Sequence, residues 1–199
     1  MSSTLDLYRT SLLSGSIRLL RLLPHKDKTA HIHCELFHYP LIGSNTETHL
    51  YDAISYVWGG PAKTRSIFIR EQDATSEHSL PVTKNLHEVL TRLRNPYLER
   101  IIWIDAVCIN QVDDREKEQQ IRLMVEIYGQ ANNVFVRLGE AADDSDRALQ
   151  SILIAGEDLD KPEDVLNENI FEQASNHQAI TELLRRPWFQ RIWVGYIIG

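Results

Sequence analysis

Residues 101–114, "IIWIDAVCINQVDD", decide how the rest of the chain is read. An apolar run leads into Asp105, Cys108, Asn110, Gln111, Asp113 and Asp114, a dense set of polar side chains. With Arg100 in front, "RIIWIDAVCI" (100–109) is β-rich and apolar at successive positions, the pattern of a central strand buried on both faces. Asp113 and Glu116 have the spacing of a capping box, which predicts a helix with a buried stripe of Ile121, Met124, Val125 and Tyr128.

Strand and helix signals alternate on either side. Upstream, "YDAISYVWGG" (51–60) reads as a buried strand ending at a Gly-Gly-Pro break. "RSIFIR" (65–70) is a short strand, followed by a polar loop through Ser79. "VTKNLHEVLTRLR" (82–94) is a helix with Thr83 as N-cap, an apolar stripe of Leu86, Val89, Leu90 and Leu93, and a stop at Asn95-Pro96. Downstream, "NNVFVRLG" (132–139) reads as another interior strand, and helices are expected from about Ser145 to Ala155 and from about Ile180 to Arg185. Nearer the start, "AHIHCELFHY" (30–39) alternates as a strand does, and "GSNTETH" (43–49) is a turn-rich loop. "SIRLLRLLP" (16–24) serves equally as an edge strand or a helix.

The alternation from 51 to 139 predicts an α/β fold with a largely parallel central sheet and helices on both faces. Residues 1–50 are expected to add strands and loops to a domain formed by 51–199.

The totals narrow the function. The 199 residues, 43% hydrophobic and 25% charged, describe an ordinary globular protein without repeats. A net charge of -7 argues against nucleic-acid binding, which draws on a positive field. No apolar run approaches the roughly 20 residues of a membrane span, and the N-terminus lacks a signal-peptide pattern. Two cysteines are too few for a disulfide framework, so a reducing, cytoplasmic setting is expected.

In α/β sheets, ligands bind outside the carboxyl ends of the strands. That rule places a candidate site around Ser55, Tyr56, Trp58, Gly59, Asp105, Cys108, Asn110 and Gln111. Each residue also has a structural reading. Asp113, Asp114 and Glu116 suit a helix N-terminus, and Asn110 and Gln111 suit loop backbone groups. Asp105, a carboxylate in an apolar strand, either pairs with an arginine or faces a polar cleft. Cys108 has no histidine near it in sequence, which favours packing over nucleophilic chemistry. "HIHC" (31–34) splits its histidines from Cys34 across two strand faces, and no second ligand pair with zinc spacing occurs, so no metal is expected. No phosphate-binding glycine fingerprint and no nucleophile elbow occurs.

Three separated segments resemble the HET (heterokaryon incompatibility) domain of filamentous fungi. "YDAISYVWG" (51–59) is similar to the family's opening motif. "IWIDAVCINQVDDREKEQQIRLMVEIYGQANNVFVRLG" (102–139) is similar to its longest block, with Arg137 where a Trp is more usual. "RPWFQRIWV" (186–194) is similar to its closing segment. The resemblance implies nonself recognition (fungal allorecognition) and programmed cell death. The partners it implies are the domain itself or other incompatibility and receptor proteins.

The resemblance also implies a distant, flavodoxin-like kinship with TIR domains, some of which cleave NAD. That would make NAD a substrate, with no cofactor required, and would put Arg191 or Trp193 near the ribose. Family members carry Trp-Val-x-Gln-Glu in the closing segment; here Tyr196 and Ile197 stand at the Gln and Glu positions, before Gly199. An Ile cannot act as the carboxylate would. The chain is therefore expected to be a HET domain truncated at its C-terminal end and impaired as a nucleosidase. It would act as a signalling module, or as a decoy for a full-length relative. The short tail is also expected to leave Trp188, Phe189 and Trp193 partly uncovered.

Overall fold

The computed structural model describes residues 7–42, 50–72, 74–159 and 174–190. Its strands are β1 (Ser16–Leu22), β2 (His33–Pro40), β3 (Asp52–Tyr56), β4 (Arg65–Glu71), β5 (His78–Val82), β6 (Arg100–Ile104) and β7 (Val134–Arg137). The helices are α1 (Lys84–Leu93), α2 (Asp105–Cys108), α3 (Asp114–Arg122), α4 (Met124–Gly129), α5 (Ser145–Leu159) and α6 (Ala174–Leu184). The seven strands form one sheet in the order β5-β4-β2-β1-β6-β3-β7. The pairs β2–β4, β3–β6 and β3–β7 are parallel, and β1 is antiparallel to both β2 and β6. Five strands (β2, β3, β4, β6 and β7) therefore point one way, with β1 and β5 against them. The α/β fold with a largely parallel sheet is the one the sequence predicts.

Several elements differ from expectation. β1 is neither helix nor edge strand. It lies inside the sheet with all of its residues but Arg21 buried, and both of its arginines have partners. Arg18 pairs with Glu116, and Arg21 with Glu35. β6 stops at Ile104, and Asp105–Cys108 turn into one short helix instead of extending the strand. The segment expected as a polar loop through Ser79 contains β5, which pairs with β4. β7 is an edge strand, with Phe135 and Val136 about 40% and 39% exposed.

The helix after Asp113 is broken at Leu123, which caps both α3 and α4. Asp113 is its N-cap, accepting hydrogen bonds from the backbone N–H groups of Arg115 and Glu116 at 3.0 and 3.1 Å. α4 buries Met124, Ile127 and Tyr128, as α3 does Glu116 and Gln120, while Ile121 and Val125 remain exposed. Trp103 and Tyr128 pack edge to face in the core at 5.6 Å.

α1 forms as predicted. Thr83 Oγ1 accepts from Leu86 N, and Leu86, Val89 and Leu90 are buried. At its far end the Arg94 guanidinium donates to the carbonyls of Asp27, Lys28, Ala30 and His31, so it gathers the loop before β2.

Two compact units meet in sequence between Arg137 and Leu138. The first holds the sheet with α1 to α4. In the second, Ala148 on α5 packs with Ala179 and Leu183 on α6, against Leu138, Ile180 and Phe189. Trp188 is buried, contrary to expectation, and stacks edge to face on the half-buried Phe189 at 5.0 Å. Trp193 lies outside the described residues.

Candidate functional site

The carboxyl ends of β3, β6 and β7 lie at one edge of the sheet because the three strands are parallel neighbours. As β3 ends, the chain passes Trp58 and turns at Gly59, whose φ of +79° is a left-handed conformation that favours glycine. A Cβ at Gly59 would also fall 2.8 Å from Asn85 Nδ2. Asn85, in the first turn of α1, instead donates from Nδ2 to the Val57 carbonyl at 2.9 Å. The end of β3 and the start of α1 are thereby locked together.

The exit of β6 is tied to the exit of β3. Trp58 Nε1 donates to both Asp105 carboxylate oxygens at 3.0 Å, and Ala106 N donates to Oδ1 at 2.7 Å. Asp105 is buried, while Trp58 stays 39% exposed. At the next strand, Arg137 donates to Glu88 Oε2 at 2.9 Å and to the Asn85 carbonyl at 3.4 Å. The hydrogen bond from Arg137 holds the Glu88 carboxyl below its ordinary range.

Beyond Asp105 the polar side chains satisfy backbone. Gln111 Nε2 donates to the carbonyls of Asp105 and Ile109 at 2.8 and 3.2 Å. Asn110 Oδ1 accepts from Val112 N at 3.2 Å. Glu116 does not close a capping box. Its carboxylate turns inward, accepting from Asn110 N at 2.7 Å and from the buried Arg18 at 2.6 and 3.1 Å. Arg18 also lies over the Tyr8 ring at 5.0 Å, and Tyr8 donates to the Val107 carbonyl at 2.9 Å. Cys108 is fully buried, its sulfur accepts from Ile104 N at 3.4 Å, and burial pushes its thiol up to about 12.

Of the residues singled out from sequence, Trp58, Gly59, Asp105 and Gln111 come together at the strand exits. Ser55 and Tyr56 are buried in β3 behind them, and Cys108 points into the core. Arg191, Trp193, Tyr196 and Ile197 lie outside the described residues. Sequence reading missed Asn85, Glu88 and Arg137 as parts of this edge, and Arg18 as the partner of Glu116. Thr83 as N-cap was the one available signal, since it placed Asn85 and Glu88 in the opening turns of α1. Chemically, the edge presents an exposed indole on an anchored carboxylate, beside an Arg137–Glu88 pair. Its polar groups already hold one another. Among the described residues no cluster of His, Cys, Asp and Glu could hold a metal ion, and no helix is long and apolar enough to cross a membrane.

Residues 51–195 match the family profile described as "Heterokaryon incompatibility protein (HET)". The chain belongs to this family of HET domains. It is also similar to "Heterokaryon incompatibility protein 6, OR allele" of Neurospora crassa. The two are 32% identical, across 90% of this chain and 31% of the relative. The chain thus spans about a third of the length of the curated relative it matches. No solved structure matches it.

Proposed function

We propose that the chain acts in fungal heterokaryon incompatibility as a contact module, recognising itself or another incompatibility or receptor protein in the cytoplasm and promoting cell death. The observation that carries this reading is the family match from Tyr51 to Gly195. The geometry supports contact rather than turnover. Asp105 is held by Trp58 and Ala106 N, while the Trp58 indole stays accessible. Exposed aromatic side chains anchored by a buried partner are favourable contact residues in protein interfaces.

The test is expression of the chain, and of a Trp58→Ala version, in a fungal host scored for growth arrest and cell death on fusion. The expected result is a reaction with the parent chain that is weakened by Trp58→Ala, together with concentration-dependent association of the purified protein. In parallel, the purified chain is incubated with NAD, beside an Ile197→Glu/Tyr196→Gln version. Nicotinamide release by the parent chain would overturn the contact reading in favour of a nucleosidase.

A further inference from the structure

In the second unit, α5 turns its small residues inward. Ser145, Ala148 and Ser151 are buried, and Ala148 meets Ala179 and Leu183 of α6. Its large aliphatic residues face out instead. Leu149, Ile152 and Leu153 are 45%, 42% and 63% exposed. Spaced i, i+3 and i+4, they form one stripe across neighbouring turns. Single exposed leucines are ordinary, whereas an apolar stripe on a helix normally faces a core. Gly156 continues the stripe at i+7 without a side chain. Nothing among the described residues lies within 4 Å of where its Cβ would be, so another backbone can approach closely there.

The stripe is flanked by negative charge. Glu140, Asp143, Asp144 and Asp146 precede it, with Arg147 as the one base between Glu140 and Leu149. All five are exposed, and Arg147 donates to Asp144 at 2.8 Å. Acids at a helix N-terminus suit the helix dipole. That explains the charge, but not the aliphatic stripe beside it.

Shape and charge together select the occupant. The backbone of α5 is hydrogen-bonded within the helix, so a partner must engage its side chains. A second helix does so by fitting ridges into grooves. An added strand finds no open edge here. A second copy, at a net charge of -7, would bring acids against acids. An anionic lipid surface is repelled for the same reason.

We propose that the outer face of α5 docks a cationic amphipathic helix of a partner protein. The apolar side of that helix packs on Leu149, Ile152 and Leu153, and its lysines or arginines meet Asp143 and Asp146. Docking here is independent of the Trp58 surface, which belongs to the first unit.

The test titrates the full chain with two synthetic helical peptides of equal length that share one leucine stripe. The polar positions are lysine in the first peptide and glutamate in the second. Binding is read by fluorescence anisotropy and by heteronuclear NMR of the backbone amides. The lysine peptide should bind at least about tenfold more tightly than the glutamate peptide, and more weakly as salt is raised. It should move the amides of Asp146 to Leu153. Leu149→Gln/Leu153→Gln replaces exposed residues with a good helix former and should weaken binding by about tenfold. Trp58→Ala should bind as the parent does, so failure at one surface is told apart from failure at the other. Equal binding of both peptides overturns the proposal, as does unchanged affinity in the folded double variant. So does binding of anionic vesicles through the same amides. Unmoved α5 amides with the lysine peptide also overturn it, and because that reading needs no variant it decides the matter even if the double variant fails to fold.

Discussion

Asp105 is a buried carboxylate whose two oxygens both receive the Trp58 indole N–H, with Ala106 N added to one of them. Burying such a group is costly unless donors replace water. Trp58→Phe keeps an aromatic ring and removes the donor. Hydrogen bonds to charged groups contribute about 1.5–3 kcal/mol, and the partial exposure of Trp58 places the expected loss near the lower end. Urea denaturation should show a lower midpoint with an unchanged slope. Equal stability of the two proteins would mean that the indole is not what fixes the exits of β3 and β6. Gly59 belongs to the same small assembly. Its positive φ and its closeness to Asn85 make any side chain there unfavourable, so the Gly-Gly break is also the point where β3 is fastened to α1.

At the scale of elements, α3 is held to β1 by an ion pair instead of an apolar stripe. Arg18 is 1% exposed and Glu116 8%, and they meet in a bidentate contact. Removing one partner of a buried pair strands the other, so Arg18→Met is expected to cost about 3–5 kcal/mol. The double change Arg18→Met/Glu116→Leu should recover most of that loss, because an apolar pair of similar volume replaces both charges. Denaturation of the two single variants and the double completes the cycle. A double variant as unstable as the sum of the singles would mean that the pair is not coupled. This pair also shows what was legible in the sequence. Strands with β-branched runs and the α1 stripe were readable because their apolar periodicity matches their burial. Glu116 was not, since its spacing from Asp113 imitates a capping box and periodicity carries no signal for a buried charge. The same blindness moved the stripe of the next helix. A break at Leu123 leaves Ile121 and Val125 outside, and only Met124 and Tyr128 of the predicted set are buried. β5 escaped because "HSLPV" begins with polar residues and contains a proline, which edge strands tolerate.

Across the whole molecule, the site edge was legible to the extent that strand order dictates it. β3 and β6 were readable as strands, and parallel neighbours must exit together. The contributions of Arg137 and Asn85 depend on long-range pairing that no local pattern announces. The same global packing sets how stability responds to acid. His38 and His87 are both pushed below their ordinary 6.5, burial being the first cause and nearby arginines the next. Burial penalises the charged ring, so the folded chain binds these protons more weakly than the unfolded chain does. Their contribution is therefore complete above 6.5 and is lost as pH falls from there through the lowered folded values. Glu88 adds a second, more acidic window. Its carboxyl is lowered from 4.5 by Arg137, so its contribution is complete above 4.5 and is lost as pH falls through the folded value. Urea midpoints measured across pH should thus be level above about 7, decline gently as pH falls below about 6.5, and fall further below about 4.5. The first decline should be small, below about 1 kcal/mol, because both rings keep substantial contact with water. In a His38→Gln/His87→Gln variant that first decline should flatten while the acidic one remains. In Arg137→Met the acidic decline should shrink instead. A first decline that survives removal of both histidines would assign it to other groups and refute burial of these two rings as its source.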